Sequence, residues 1–232
     1  MDVKVLVKDF LYCKGDLQLY INRRFMSAKQ SVLTHEYWDY AVLKNGCKFY
    51  VTEDFTCIDQ VIEDYRFSDI TKDTIVVDLG ANIGGFTIQA AKMAKKVIAY
   101  EPIRGKELVR NIELNNLTNV ECHFVGIGSG VKQELRWAVR PVVLPTIRFL
   151  DIAASLRGVK NTFLKCDIEG FEKYMDPHDI ATFDRVEMEL HSWGTGKKVS
   201  RDIISTLKKT HDVEVDNIGA NGMVGVLHAR KK

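Results

Sequence analysis

From Thr74 onward, the chain alternates short runs of β-branched residues with segments of helical spacing. Five segments have the character of buried strands: TIVVDL, KVIAYEP, NVECHFVGI, TFLKCDI and DRVEMELH. Four others have the apolar spacing of helices: GGFTIQAAKMA, GKELVRNIELNNL, FLDIAASLRG and SRDIISTLKKT. This alternation predicts an α/β fold, a Rossmann-like parallel sheet wrapped by helices.

The end of the chain has a different pattern. DVEVDNI and MVGVLHAR alternate polar and apolar residues with period two, and GANG separates them. Such a pattern is typical of a hairpin. The sequence therefore predicts a mostly parallel sheet that finishes with an antiparallel C-terminal hairpin at one edge.

The first part of the chain is organised differently from the rest. It holds short strand-like pieces (KVLVK, LQLYI and CKFYV) and an amphipathic segment, FTCIDQVIEDYRF. We interpret residues 1–71 as an N-terminal extension packed on a main domain of residues 72–232.

Composition excludes several classes of protein. Of 232 residues, 46% are hydrophobic and 28% charged, which is typical of a soluble globular protein. The net charge of +2 argues against strong nucleic-acid binding by the whole molecule, although a local basic patch stays open. The five cysteines form no C-x-x-C pair, and no apolar run has the length of a signal peptide core or a membrane span. We expect a cytoplasmic protein with no membrane partner; the oligomeric state stays open.

A glycine-bearing loop follows the first strand of the main domain, in VVDLGANIGGF. In open α/β sheets, ligands bind beyond the carboxyl ends of the strands, and Gly80, Gly84 and Gly85 let the backbone approach a ligand closely. The spacing G-x-x-x-G-G differs from the dinucleotide fingerprint. Asp78 would repel a pyrophosphate and attract a ligand with an ammonium and a sulfonium group. The loop therefore favours S-adenosylmethionine over NAD as cofactor.

The next strand adds a second acid. Glu101 ends VIAYE about twenty residues after the loop, where a carboxylate can accept hydrogen bonds from ribose hydroxyls. Ile127, after the third strand, is positioned to flank an adenine. Asp78 and Glu101 could also be ordinary solvated strand ends. The predicted cofactor-binding residues are Asp78, Gly80, Ala81, Asn82, Gly84, Phe86, Thr87, Glu101, Pro102, Ile127 and Asp167.

Three stretches together carry a resemblance to a known family. VVDLGANIGGFTIQAAKMAKKVIAYEP, NIELNNLTNV and FLKCDIEGFE resemble class I S-adenosylmethionine-dependent methyltransferases, in particular the FkbM type, whose K-x-D-x-E-G stretch is matched by Lys165, Asp167, Glu169 and Gly170. The resemblance covers about two-thirds of the chain, from Ile75 to Lys231. It implies a seven-stranded sheet whose last strand is antiparallel, and methylation of a hydroxyl on a sugar or other small metabolite. It also implies that Asp167 lies nearest the reacting centre and that Glu169 contacts or supports the substrate.

Side chains that could assist methyl transfer follow the fourth and fifth strands. Lys165, Asp167 and Glu169 alternate onto one face of TFLKCDIEG, and His191 ends the fifth strand as a candidate general base. We predict Asp167, Glu169 and His191 as the catalytic residues. Glu187 is expected to lie deeper, as a structural partner for Lys165. The acids and the imidazole could also hold Mg²⁺, but their spacing matches no recognised motif, and we predict no metal.

Three functions fit these features. The first is O-methylation of a small-molecule acceptor, for which DIEG after the fourth strand argues. The alternative is an RNA (tRNA or rRNA) methyltransferase, because NIELNNLTNV also occurs in tRNA-modifying relatives and the basic C-terminal HARKK could touch phosphates. The absence of an N-P-P-Y-type tetrapeptide argues against that alternative. The third is a non-catalytic S-adenosylmethionine-binding module.

Overall fold

The computed structural model describes residues 40–43, 45–50, 64–137, 140–191, 196–216 and 223–232. The strands are β1 (Tyr40–Val42), β2 (Lys48–Tyr50), β3 (Ile75–Leu79), β4 (Lys96–Tyr100), β5 (Val120–His123), β6 (Gly126–Ile127), β7 (Gln133–Trp137), β8 (Arg140–Leu144), β9 (Thr146–Ile147), β10 (Thr162–Cys166), β11 (Arg185–His191), β12 (His211–Asp216) and β13 (Met223–Lys231). The helices are α1 (Gly85–Met93), α2 (Gly105–Leu114), α3 (Phe149–Ser155), α4 (Pro177–Ile180) and α5 (Gly196–Leu207), and a 3₁₀ helix covers Phe171–Tyr174.

Seven strands form the central sheet in the order β12-β13-β11-β10-β3-β4-β5. Within this sheet only β13 runs against the others, pairing antiparallel with both β11 and β12. The neighbouring pairs β11·β10, β10·β3, β3·β4 and β4·β5 are parallel. This arrangement confirms the predicted Rossmann-like, mostly parallel seven-stranded sheet with an antiparallel C-terminal hairpin.

Both faces of the sheet are buried. Successive side chains of a strand point to opposite faces, so Val76 and Val77 of β3 lie in different apolar clusters. Val77 packs with α3 and α5 through Phe149 and Ile203, whereas Val76 packs with α1 through Phe86. Burial on both sides explains why the strand segments are nearly continuous apolar runs.

The parallel strands matter for function because their carboxyl ends meet at one edge. Gly80 follows β3, Glu101 follows β4 and Asp167 follows β10, while His191 is the last residue of β11. The fold therefore brings the loop, both predicted acids and the predicted base to the same edge of the sheet.

Part of the N-terminal region contacts α2. The β1–β2 hairpin contains the predicted CKFYV strand, and the Lys48 and Tyr50 amides donate to the side-chain oxygens of Asn115 and Asn111, each at 2.8 Å. The KVLVK and LQLYI segments, most of FTCIDQVIEDYRF and the GANG turn lie outside the described residues. The boundary between residues 71 and 72 stays a prediction.

Three segments differ from what the sequence predicts. NVECHFVGI divides into β5 and β6, and β6 leaves the main sheet to pair with β9. The β7–β8 hairpin was not predicted. Helix α5 also starts earlier than expected, at Gly196.

Within the described ranges, no helix combines the length and the apolar character needed to cross a membrane.

Candidate functional site

A cavity opens at the carboxyl edge of the sheet, between the ends of β3, β4, β6 and β10. Seven of the predicted site residues line it: Gly80, Asn82, Glu101, Pro102, Ile127, Asp167 and Glu169. Tyr100, Arg104 and Phe171 are among its other walls. The sequence-predicted residues thus converge on one concave site from four separate segments of the chain.

Gly80 is required by the close approach of two strand ends. Its φ is +77°, and a Cβ built on it would lie 1.8 Å from the backbone oxygen of Asp167. The Gly80 and Ala81 amides both donate to the Tyr100 carbonyl, at 3.0 and 3.1 Å. No other residue can hold β3, β4 and β10 this close, because any side chain at position 80 would collide with backbone.

Glu101 fixes the opposite wall of the cavity. One carboxylate oxygen accepts the Asn82 amide at 2.7 Å, and the other accepts the Ile103 and Arg104 amides at 2.7 and 2.9 Å. Three backbone donors hold the carboxylate rigidly against the loop, while the residue still borders the cavity. A carboxylate can accept further hydrogen bonds, so Glu101 is able to receive hydroxyl donors.

Asp78 lies behind the loop and not among the residues that line the cavity. It is fully buried, accepts the Thr87 hydroxyl at 2.5 Å, and its Oδ1 is 3.1 Å from Nζ of buried Lys165. Lys165 also donates to the Gly80 carbonyl at 2.8 Å. The Asp78 carboxylate therefore has an internal cation as its partner and acts on the loop through Lys165.

The remaining predicted cofactor residues also support the loop from behind. Phe86 packs in the core against the rings of Phe67 and Phe163, and Gly84 caps α1 in the left-handed conformation with φ +98°. Ala81 and Thr87 are buried. The structure groups these residues around the loop rather than on the wall of the cavity.

His191 stands in a group of acidic side chains next to the cavity. Its Nδ1 is 2.8 Å from Glu172 Oε1, and its Nε2 is 3.6 Å from Glu169 Oε2 and 3.8 Å from Glu189 Oε2. The Asp167 and Glu189 carboxyls are within hydrogen-bonding reach of each other. The structure thus brings the three predicted catalytic residues together and adds Glu172 and Glu189 to them.

The pKa values of Glu189 and His191 are displaced upward. Burial, followed by the charge of Asp167 and the hydrogen bond with it, raises the pKa of Glu189 to about 8. Burial opposes the charge on His191, but the hydrogen bond and charge of Glu172, with the charges of Glu189 and Asp167, raise its pKa to about 9. At neutral pH His191 therefore carries a proton that the acids around it stabilise.

The ligand atoms of Asp167, Glu169 and His191 lie within 4.8 Å of one another. Such spacing is compatible with a cation. It also follows directly from the ion pairing of the imidazole with the carboxylates around it, so the spacing assigns no metal.

One expectation from the sequence is wrong. Glu187 does not pair with Lys165: its oxygens contact Arg185 at 2.7 Å and His228 at 2.5 Å. HARKK lies away from the cavity: His228 is buried in that contact, and Arg230, whose side chain is 69% exposed, lies opposite Arg185 at the amino end of β11, so contact of this basic segment with phosphates stays a prediction. The strand register, which the sequence does not reveal, decides the partner of Glu187.

Two buried oxygens on the cavity wall suit a ligand with hydrogen-bond donors. Asn82 Oδ1 and Asp167 Oδ1 receive no hydrogen bond from any amide, hydroxyl or cationic group of the described residues. Buried polar atoms are normally paired in folded proteins. Both atoms belong to residues that line the cavity, so a ligand with an ammonium or hydroxyl group fits there, as S-adenosylmethionine requires.

This chain is similar to several proteins that are named as methyltransferases. No protein-family model matches. Over 113 residues, 43% of this chain, the sequence is 30% identical to an uncharacterized RNA methyltransferase of Streptococcus mutans serotype c, and it spans 24% of that protein. M. jannaschii TYW2 in complex with AdoMet has a TM-score of 0.49 at 19% identity, over 86% of this chain and 88% of that one. Methyltransferase FkbM from Methylobacillus flagellatus KT has a TM-score of 0.48 at 16% identity, over 75% and 51%. The strand order itself carries the fold assignment.

Proposed function

We propose that this chain is an S-adenosylmethionine-dependent methyltransferase of class I. The observation that carries the proposal is the cavity itself, in which the Gly80 turn lies between two acids at adjacent strand ends, Glu101 and Asp167. The chain spans about a quarter of the curated relative it matches, and that relative's name supports the same activity.

When bound, the cofactor supplies a methyl group on a positively charged sulfur, and transfer requires an acceptor behind that methyl and removal of the acceptor's proton. Glu101 accepts hydroxyl hydrogen bonds at one end of the cavity, and Ile127 offers an apolar wall. Asp167 and Glu169 provide negative charge at the other end. Gly80 leaves the space between them open.

For the acceptor, we propose RNA. The named relative supports this alternative over a small-molecule acceptor. A local feature agrees with it: Phe171 borders the cavity and stacks on Tyr174 at 5.9 Å, and Lys173 Nζ lies over both rings at 5.5 and 5.3 Å. Aromatic faces beside a cation are the surface on which single-stranded bases stack.

A small-molecule hydroxyl is the second candidate acceptor. The K-x-D-x-E-G match to FkbM-type enzymes favours it, as does the group of acids around His191, which is suited to receive a hydroxyl proton. The resemblance to the FkbM type, which is narrower than class I, therefore supports this second candidate and not RNA.

The test is transfer of a labelled methyl group from S-adenosylmethionine to total RNA and, in parallel, to a panel of hydroxylated metabolites. We expect label in RNA, and we expect Asp167→Asn to reduce turnover more than cofactor affinity. Label only in a metabolite would support the second candidate. Cofactor binding without transfer to either would support the non-catalytic module, and no binding would reject the proposal.

A further inference from the structure

Glu172 is a buried acid that the sequence analysis did not select. It lies in the 3₁₀ helix Phe171–Tyr174, directly beyond the D-x-E-G stretch, and its side chain is only 4% exposed. Its Oε1 is 2.8 Å from His191 Nδ1 and also accepts the Gly170 amide at 3.3 Å. An oxygen that already accepts one hydrogen bond from an amide takes the same role toward the imidazole, so Nδ1 is the donor.

We propose that Glu172 is a positioning residue for His191, holding the imidazole so that Nε2 faces the carboxyls of Glu169 and Glu189 at the cavity. The inference rests on the proposed function for its catalytic meaning, but the geometry is independent of any ligand. Because the hydrogen bond to Glu172 holds Nδ1, the ring has one orientation, in which Nε2 faces Glu169 and Glu189.

The chemical consequence concerns the acceptor's proton. When His191 has lost its Nε2 proton, Nε2 can take the proton that leaves the acceptor as the new bond to the methyl carbon forms. The imidazolium created in this way lies against the Glu172 carboxylate, which stabilises its positive charge. Without that carboxylate, the ring is a weaker base and is free to rotate.

Four acidic side chains of the described elements face His191. Glu172 comes from the 3₁₀ helix, Glu169 from the turn before it, Asp167 from the end of β10, and Glu189 from β11 itself. Helix α5 contributes the Ser200 hydroxyl, which donates to the His191 carbonyl at 3.4 Å. Removing Glu172 therefore removes the acid nearest to the ring and leaves Glu169, Asp167 and Glu189 beside it.

The chain contains a matched control for a purely structural role. Glu187 and His228 form a second buried carboxylate–imidazole pair, at 2.5 Å; Glu187 lies two residues before Glu189 on β11, and neither partner is among the residues that line the cavity. Glu187→Gln disrupts a comparable pair. It should lower stability without altering the titration of His191.

The decisive measurement is the NMR titration of the six histidine rings, with His191 assigned by its loss in His191→Gln. Glu172→Gln keeps an oxygen that can accept from Nδ1 but removes the charge, so the pKa of His191 should fall by about one unit or more. Glu172→Asp keeps the negative charge, so the pKa of His191 should fall less in this variant than in Glu172→Gln. Glu187→Gln should leave the His191 titration unchanged. An unchanged His191 titration in folded Glu172→Gln would overturn the proposal.

Activity provides the second readout. In Glu172→Gln, the high-pH plateau of kcat should fall about tenfold or more, because the ring is a weaker base, and the rise of kcat with pH should move to lower pH, with KM for S-adenosylmethionine unchanged. Equal loss of kcat in Glu172→Gln and Glu187→Gln, with the same pH profile as wild type, would reduce Glu172 to a packing residue and reject the proposal. If the wild type transfers no methyl group, the proposed function fails, and the NMR titration still decides the role of Glu172.

Discussion

Lys165 Nζ lies 3.1 Å from Asp78 Oδ1, with both side chains almost completely buried between β3 and β10. Burial opposes the charge on Lys165, but the charges of Asp78 and Asp167 raise its pKa. The lysine then donates to the Gly80 carbonyl and so ties the pair to the glycine turn. A pair of charges inside the sheet therefore fixes the backbone that forms one wall of the cavity.

We predict that Asp78→Asn lowers stability before it alters chemistry. The substitution leaves the Lys165 charge buried without its partner, which should cost about 3–5 kcal/mol of unfolding free energy. Combining it with Lys165→Met removes the buried charge and should recover part of the loss. Urea unfolding of the two single variants and the double variant measures this coupling. Additive losses would contradict it.

Gly80→Ala should be far more damaging than Gly158→Ala. Both glycines have φ near +80°, but a Cβ at Gly158 meets nothing within 4 Å, whereas one at Gly80 would be 1.8 Å from the Asp167 backbone oxygen. Gly158→Ala should cost only the backbone strain, about 1–2 kcal/mol. Gly80→Ala should cost several kcal/mol more and abolish cofactor binding. If the two variants melt at the same temperature, the backbone of Asp167 does not exclude a side chain at position 80.

Glu101→Ala should weaken cofactor affinity by about tenfold or more, because the loop amides of Asn82, Ile103 and Arg104 lose their common acceptor and ribose loses its partner. Glu121→Ala is the control. Glu121 lies on the neighbouring strand β5, is half-exposed and pairs with Lys96. Calorimetric titration with S-adenosylhomocysteine should give wild-type affinity for the control. An equal loss of affinity in both variants would show that Glu101 does not bind the cofactor.

Stability should fall as the pH rises through the site's titration range. The pKa of Glu189 is raised from 4.5 to about 8 and that of His191 from 6.5 to about 9, so the folded state holds protons that the unfolded chain has released. The His191 contribution is complete below pH 6.5 and is lost as the pH rises through about 9. In Glu189→Gln, the free energy of unfolding should fall less steeply with pH below about pH 8. Urea unfolding from about pH 5 to about pH 9 tests this, and a wild-type curve that rises over that range would contradict it.

Much of the fold follows from the sequence because its signals are local. Buried strands and helices alternate, and the position after each strand already identifies Gly80, Glu101 and Asp167 as neighbours at one sheet edge. The β7–β8 hairpin lacks such a signal: the sequence between the two strands, Ala138 and Val139, contains no glycine, asparagine or aspartate, and Pro141 lies within β8.

The partners within the site were harder to predict because they depend on register and on turns. Lys165 lies beside both Asp78 and Glu187 in the sheet, and the sequence does not reveal which acid it chooses. Glu172 reaches His191 only because Glu169 and Gly170 both have positive φ, 54° and 89°, which turns the chain back toward β11. A carboxylate three residues after Glu169 in DIEGFE was the available signal for Glu172.

The most direct test of the account is calorimetric titration of the purified protein with S-adenosylhomocysteine, with NAD as control. We predict about micromolar binding of the first compound and none of the second, because the acids at both ends of the cavity, Glu101 and Asp167, would repel a pyrophosphate. Binding of NAD alone, or of neither compound by folded protein, would contradict the central claim that this cavity holds the methyl donor.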